Sequence, residues 1–310
     1  MTKFDPISLK ILWDRLVSIS DELVLSLVRT SFSMNVREGY DLSCMVFDSK
    51  ARLLTQGSYS VPSFTGTAPQ TIQHMLKKFP PETLDPGDVI MTNDPWMGTG
   101  HLFDINVMRP VFKRKKLVGY TMSVTHLPDI GGKGMSSDCT EIYHEGLRLP
   151  VCKLQDKGRL NELIVDLIRT NVRVSEQTIG DLMANVACNE VGGRSLLEFM
   201  DEYRLEEIES LADAINLHSE LSMREKIKEI PDGNYKNSIQ IEGPGYPILL
   251  NATVDIRGDK VDIDFSGTDG PVRASINVPF CYTNAQSLYV IKCLTIPGLP
   301  NNEGSMRPIS

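Results

Sequence analysis

The chain has 310 residues, 41% of them hydrophobic and 23% charged, enough for a sizeable buried core in one large domain or two smaller ones. A formal charge of -8 argues against a nucleic-acid surface, and no apolar run reaches the roughly eighteen residues of a membrane span. The N-terminus, MTKFDPISLK, lacks a signal-peptide pattern, and six scattered cysteines without a C-x-x-C read as reduced thiols, so the expected compartment is cytoplasmic.

Residues 7–31 place apolar side chains at three- and four-residue spacing. That predicts an amphipathic helix, capped by Asp5 with Pro6 just inside. Two short strands, 43–48 and 52–55, flank a polar turn at Ser49-Lys50, and Arg37, Glu38 and Asp41 before them read most simply as surface or loop ion pairs. A helix over 69–78 carries His74 at the edge of its apolar face; after the Pro86-Gly87 turn, DVIMT (88–92) reads as a strand. Residues 105–112 and 117–125 form a hairpin around KRKK (113–116), a solvated turn. A helix near 160–170 follows, another begins at 179, and 194–230 reads as two or three helices, with His218 solvated. From Pro231 the text alternates with period two, as an antiparallel sheet does, with a hairpin turn at Gly258-Asp259; 276–300 then reads as a strand and a helix.

These elements predict an α+β fold, with mixed and antiparallel sheets and packed helices. The expected division is a site-bearing α+β domain over 1–193, a helical connector over 194–230, and a β-rich domain over 231–310. The last of these ends on a polar loop and reads as incomplete at its C-terminus.

The chemistry concentrates in residues 93–146, which hold three of the five histidines, His101, His126 and His144, and two His-x-x-Asp tetrads, His101/Asp104 and His126/Asp129. If residues 112 and 117 face each other across the hairpin, Asp104 faces Thr125 beside His126, and His101 faces 127–129 across the open end. Pro110 marks the first strand as an edge or as interrupted. Imidazoles and carboxylates converging from separate loops suit a divalent metal such as Zn, Mn, Fe or Ni, with positions left for water or a substrate oxygen. The glycines of MGTG and DIGGKG would let backbone approach a ligand closely. Two other readings stand beside this one. The histidines could cap strands and pair with the nearby aspartates, or Cys139 could act as a nucleophile with His144. His144 and Glu145 fit substrate contacts or support for the ligands. No nucleotide-binding glycine loop is present, so an ATP site would lie on another chain.

At these residues the chain resembles the hydantoinase B family, which includes the B-type parts of ATP-dependent hydantoinases and 5-oxoprolinases and the alpha subunits of acetone carboxylase and its acetophenone counterpart. The matching stretches are REGYDLSCMVFD (37–48), LDPGDVIMTNDPWMGTGHLFDINVMRPVF (84–112), THLPDIGGKG (125–134), EIYHEGLRLP (141–150), DFSGTDG (264–270) and PNNEGSMRPI (300–309). The resemblance implies a divalent metal, zinc or manganese first, held by His101, Asp104 and His126. Asp129, His144 and Glu145 are then the neighbours assigned to catalysis. It also implies an A-type partner subunit that binds ATP with Mg and phosphorylates a small-molecule substrate, which the B-type part then processes. The leading function is a subunit of an ATP-dependent hydrolase opening cyclic amides such as hydantoin or 5-oxoproline. The alternatives are the matching subunit of an ATP-dependent ketone carboxylase, with which Phe103 in GHLFD sits comfortably, and a non-catalytic structural subunit. Two departures stand out. Ser63-Phe64 occupies a stretch where the family often has a histidine, and family members usually continue well past NEG-x-RPI. The remaining part of the B-type subunit, or a chain supplying it, is therefore an expected partner.

Overall fold

In a computed structural model, which describes residues 4–134, 136 and 138–310, helix α1 (Pro6–Thr30) starts where the sequence places it. Asp5 accepts hydrogen bonds from the amides of Ile7 and Ser8, and Pro6 occupies the first turn, where its missing N–H costs nothing. A single helical turn, α2 (Met34–Arg37), leads into β1 (Leu42–Asp48) and β2 (Leu53–Gln56), every residue of which is buried. Strands covered on both faces read as continuous apolar runs without alternation, which is how LSCMVFD reads.

Helix α3 (Phe64–Lys78) begins five residues before the expected start at Pro69. Residues 64–68 are all buried, so tertiary packing holds a first turn that the missing N–H of Pro69 disfavours. His74 is exposed rather than packed at the core edge, because the helix buries the stripe Phe64, Ala68, Ile72 and Met75 instead.

Strands β3 (Val89–Thr92), β4 (Asp104–Lys113), β5 (Lys116–His126), β6 (Cys152–Asp156) and β7 (Arg159–Leu160) complete a seven-stranded sheet in the order β2-β1-β5-β4-β3-β6-β7. The β4–β5 turn is tight: Lys113 pairs with Lys116, and Arg114 and Lys115 both take positive φ, the geometry that two-residue hairpin loops require. Pro110 lies where β4 is paired on one side only, since β3 pairs with β4 at residues 106–108 and no further.

Helices α4 (Glu162–Asn171), α5 (Ser175–Glu202) and α6 (Glu209–Ile227) follow. With α1, α5 covers one face of the sheet in a core that includes Leu16, Leu23, Cys44, Val46, Cys188 and Phe199. On the other face α3 buries Met45, Phe47, Met108, Tyr120 and Met122. Helix α5 is continuous across position 193/194, where the sequence suggested a domain boundary. Its sheet-facing asparagines hydrogen-bond strand residues: Asn185 donates to Thr125 Oγ1, and Asn189 to Ser123 Oγ and Val107 O.

A second sheet, β8 (Gly233–Ile241), β9 (Ile248–Arg257) and β10 (Lys260–Asp264), has the order β10-β9-β8, with Arg257 facing Lys260 across the Gly258-Asp259 turn. Residues 308–310 run parallel along the outer edge of β10, through Val261 N to Pro308 O, Ile263 N to Ser310 O and Ser310 N to Val261 O. All other strand pairings are antiparallel among the described residues. Helix α7 (Phe280–Thr295) packs beside α3, with Gly66 of α3 so close to Ala285 that a Cβ would lie 2.6 Å from its Cα. The strand expected just before α7 does not form. The six cysteines are free thiols, four of them buried. No helix is long and apolar enough to cross a membrane among the described residues.

Candidate metal centre

Three neighbouring strands, β1, β5 and β4, bring the site together at one end of the large sheet. Asp104 is the first residue of β4, His126 the last of β5, and Asp41 immediately precedes β1. The hairpin expectation was one residue out at this end. Lys113/Lys116 and Phe112/Leu117 pair as expected, but a bulge between Val111 and Phe112 shifts everything beyond it. Asp104 therefore sits directly across from His126, and directly paired residues share a face of the sheet. The loop before β4 folds back to bring in His101.

The Asp104 carboxylate bridges both rings. Its Oδ2 lies 3.2 Å from His101 Nε2 and its Oδ1 lies 3.1 Å from His126 Nδ1. One donor atom from each of the three residues falls within 4.8 Å of the others. The Asp41 carboxylate approaches from the third strand, 3.6 Å from His126 Nδ1, while its backbone carbonyl accepts the His126 amide. Phe103 stacks on the His126 imidazole, with centroids 5.1 Å apart and planes 9° from parallel, which fixes the ring's plane. Asp104 is almost fully buried, whereas both imidazoles are partly exposed, so the cluster is open on the histidine side.

Electrostatics follow from this packing. Burial opposes the Asp104 charge, but the two imidazoles outweigh it and hold the carboxyl well below the usual carboxylate range. Burial likewise opposes a charged His101, yet the hydrogen bond and charge of Asp104 raise its pKa above the ordinary value. Burial, helped by the Asp104 charge, pushes the Asp41 carboxyl up.

The donors present fit a divalent cation. Two imidazoles and a carboxylate are a donor set that zinc and manganese accept, and metal–donor bonds near 2.1 Å place tetrahedral donors about 3.4 Å apart, near the 3.2 and 3.1 Å that separate the Asp104 carboxylate from His101 and His126. Among the described residues His101 Nδ1 is buried without a hydrogen-bond partner, so nothing fixes the ring's tautomer from behind.

The other three predicted site residues take different places. Glu145 is buried, and its Oε1 accepts the Leu102 amide at 2.7 Å, which pins the loop between His101 and β4. Burial raises its pKa, against the pull of that amide and of His101. Asp129 points away from the cluster. Its carboxylate accepts the amides of Gly131 and Arg173 and pairs with the Arg173 guanidinium at 3.0 Å, and its carbonyl accepts Thr178 Oγ1. Burial would raise the Asp129 pKa, but these donors lower it. His144 lies 3.2 Å from Glu141 and accepts the Thr140 amide, so it joins a separate loop. Cys139 is buried with its thiol toward Gly134 O, not toward His144.

Gly98 and Gly132 meet protein rather than open space. A Cβ on Gly98 would lie 2.8 Å from Asn106 Nδ2, and one on Gly132, whose φ is +59°, would lie 2.5 Å from His144 O. Asp41 and Phe103 are the neighbours that the sequence reading left outside the ligand cluster. Asp41 was visible only as a charge ahead of a strand, and which strand end it would face depended on the β1–β5 register.

Fold and site thus define an α+β protein with a His/Asp/His cluster at the end of an antiparallel sheet. The family model for hydantoinase B/oxoprolinase matches residues 5–310, and the chain belongs to that family. It is 30% identical, over all of its own length and 56% of the relative's, to the B-type subunit of a putative D-/L-hydantoinase from Pseudomonas sp. (strain NS671). The crystal structure of the ATP-dependent caprolactamase from Pseudomonas jessenii superposes with a TM-score of 0.86 at 29% identity, covering 100% of this chain and 54% of that one. Nucleotide-free acetone carboxylase superposes with a TM-score of 0.90 at 19% identity, over 99% of this chain and 43% of that one, a likeness of fold alone. The chain spans about half the length of the curated relatives named here.

Proposed function

We propose that the chain is the metal-bearing part of a B-type subunit in an ATP-dependent amidohydrolase that opens cyclic amides. The observation that carries this reading is the convergence of His101, Asp104 and His126 at one strand end, with Asp41 beside them as a further oxygen donor. A bound zinc or manganese ion would supply Lewis acidity toward a carbonyl oxygen or lower the pKa of a water. Asp104 sets the spacing of the two imidazoles, Phe103 fixes the His126 ring plane, and Glu145 holds the Leu102 amide so that His101 keeps its position. The exposed histidine side receives the substrate, a lactam, hydantoin or 5-oxoproline, activated by an ATP-binding partner of the A type.

Similarity to a hydantoinase subunit and to caprolactamase, each at or near 30% identity, supports the cyclic-amide class over the ketone carboxylases, whose solved representative shares 19%. The phenylalanine at position 103 in GHLFD, by its resemblance to the carboxylase members, favours the carboxylase alternative. ATP hydrolysis by the assembled complex separates them: stimulation by a lactam supports the hydrolase, and stimulation only by a ketone with bicarbonate refutes it. Full activity of a His101→Ala or His126→Ala complex would instead identify a structural subunit.

A further inference from the structure

The small sheet is amphipathic along its whole length but covered along only part of it. Direct pairing places Tyr235, Asn237, Ile239 and Ile241 of β8 on the same face as Val254, Ala252, Leu250 and Ile248 of β9. On β9 and β10 that face continues through Ile256, Val261 and Ile263, and there it is packed against Met223, Ile227, Leu288 and Ile291. The opposite face carries Asn234, Lys236, Ser238 and Gln240 of β8 with Leu249, Asn251, Thr253 and Asp255 of β9, polar except for Leu249, as a solvated face is. At β8 the cover ends: Tyr235 is 47% exposed, Ile239 50% and Ile241 38%.

The same strand is also the open edge of the sheet. Residues 308–310 line the outer side of β10, whereas β8 pairs with β9 alone among the described residues. Nine consecutive residue pairs join β8 to β9 without a register shift, so no bulge turns the edge away. Of the devices that guard edge strands against pairing, β8 has a single lysine, Lys236, and no proline. A long, flat, half-apolar edge of this kind is a template for a further strand.

We propose that the outer edge and apolar face of β8 dock the portion of the hydantoinase B fold that this chain does not span. That portion adds a strand to β8 and lays apolar side chains over Tyr235, Ile239, Ile241 and Leu250. The occupant follows from two observations. This chain, aligned over its full length, accounts for only 54–56% of the hydantoinase and caprolactamase chains, so those proteins hold nearly as much polypeptide again. The apolar face also needs a covering layer and not only an edge partner. A second copy pairing β8 to β8 would lengthen the bare face without covering it. The inference rests on family membership and is independent of the metal chemistry proposed above.

The test is site-specific photocrosslinking in the producing cell, with p-benzoylphenylalanine at Ile239 and the product mapped by peptide mass spectrometry. The expected product joins residue 239 to peptides that align with the half of the relatives outside the matched region, whether on the same polypeptide or a separate one. With the probe kept at residue 239, Tyr235→Lys with Ile241→Lys, on side chains already solvent-facing, is expected to lower the yield roughly tenfold or more while leaving the circular dichroism of the 310-residue chain unchanged. Backbone amides of β8 are expected to gain protection from hydrogen exchange in the assembled protein relative to that chain alone. A crosslink solely to a second copy or to the ATP-binding subunit, or no crosslink with equal β8 exchange in both states, overturns the proposal. None of these outcomes depends on whether a lactam stimulates ATP hydrolysis, so failure here and failure of the functional reading are separable.

Discussion

Replacing Asp104 by asparagine preserves the side chain's size and removes its charge. In the native site each carboxylate oxygen serves one imidazole, at 3.1 and 3.2 Å, and only 2% of the residue is exposed. An amide offers one acceptor and one donor, so one histidine must change tautomer or lose its partner. A divalent cation bound here would also lose its one fully buried anionic donor. Removing one member of a buried opposite-charge pair costs about 3–5 kcal/mol, which corresponds to roughly 200- to 5,000-fold weaker binding. The assay is competition for zinc or manganese against a chromophoric chelator at neutral pH, with His218→Ala as a control for an exposed histidine outside the cluster. Wild-type metal affinity in the Asp104→Asn protein, or equal loss in the control, would refute the assignment.

Asp41→Asn should weaken metal binding by a smaller factor, roughly tenfold, because its carboxylate lies at the rim and is 44% exposed; the same competition titration checks this. Asp129→Ala should instead act on stability. It strips partners from Gly131, the Arg173 amide and the Arg173 guanidinium, and is expected to cost roughly 2–4 kcal/mol in denaturant unfolding while metal affinity is retained. Lys292 gives a pH signature. It is 8% exposed and, among the described residues, its ammonium donates to the Leu299 carbonyl and the Asn301 amide oxygen and pairs with no carboxylate, so burial pushes its pKa down to about 8 from 10.5. Between those values the unfolded chain binds more protons than the folded one. Stability should therefore rise with pH across that window by as much as roughly 3 kcal/mol relative to a Lys292→Met variant, whose profile lacks this contribution. Parallel profiles for the two proteins would contradict it.

Local patterns carried most of the secondary structure. The cap at Asp5, the hairpin with its basic turn, and the period-two alternation after Pro231 all depend on neighbours within a few residues, and all three form where expected. Helix α3 departs because its first turn is held by burial against distant elements, which a proline inside the pattern hides. Among the candidate donors, His101, Asp104 and His126 were legible because one hairpin brings them together, and even a one-residue error in register left them at the same end.

What the amino-acid sequence by itself determined was the set of side chains able to bind a cation and the hairpin that gathers three of them. Tertiary structure alone decided that Asp41 joins them and Asp129 does not. The pairing of β1 with β5 links residues 42 and 125, and the Arg173 amide reaches Asp129 from 44 positions away. Spacing in a sequence reports neighbours along one strand or helix turn. Which strand lies next to which, and which carboxylate the segment between two helices claims, is set by burial and hydrogen bonding across the whole chain.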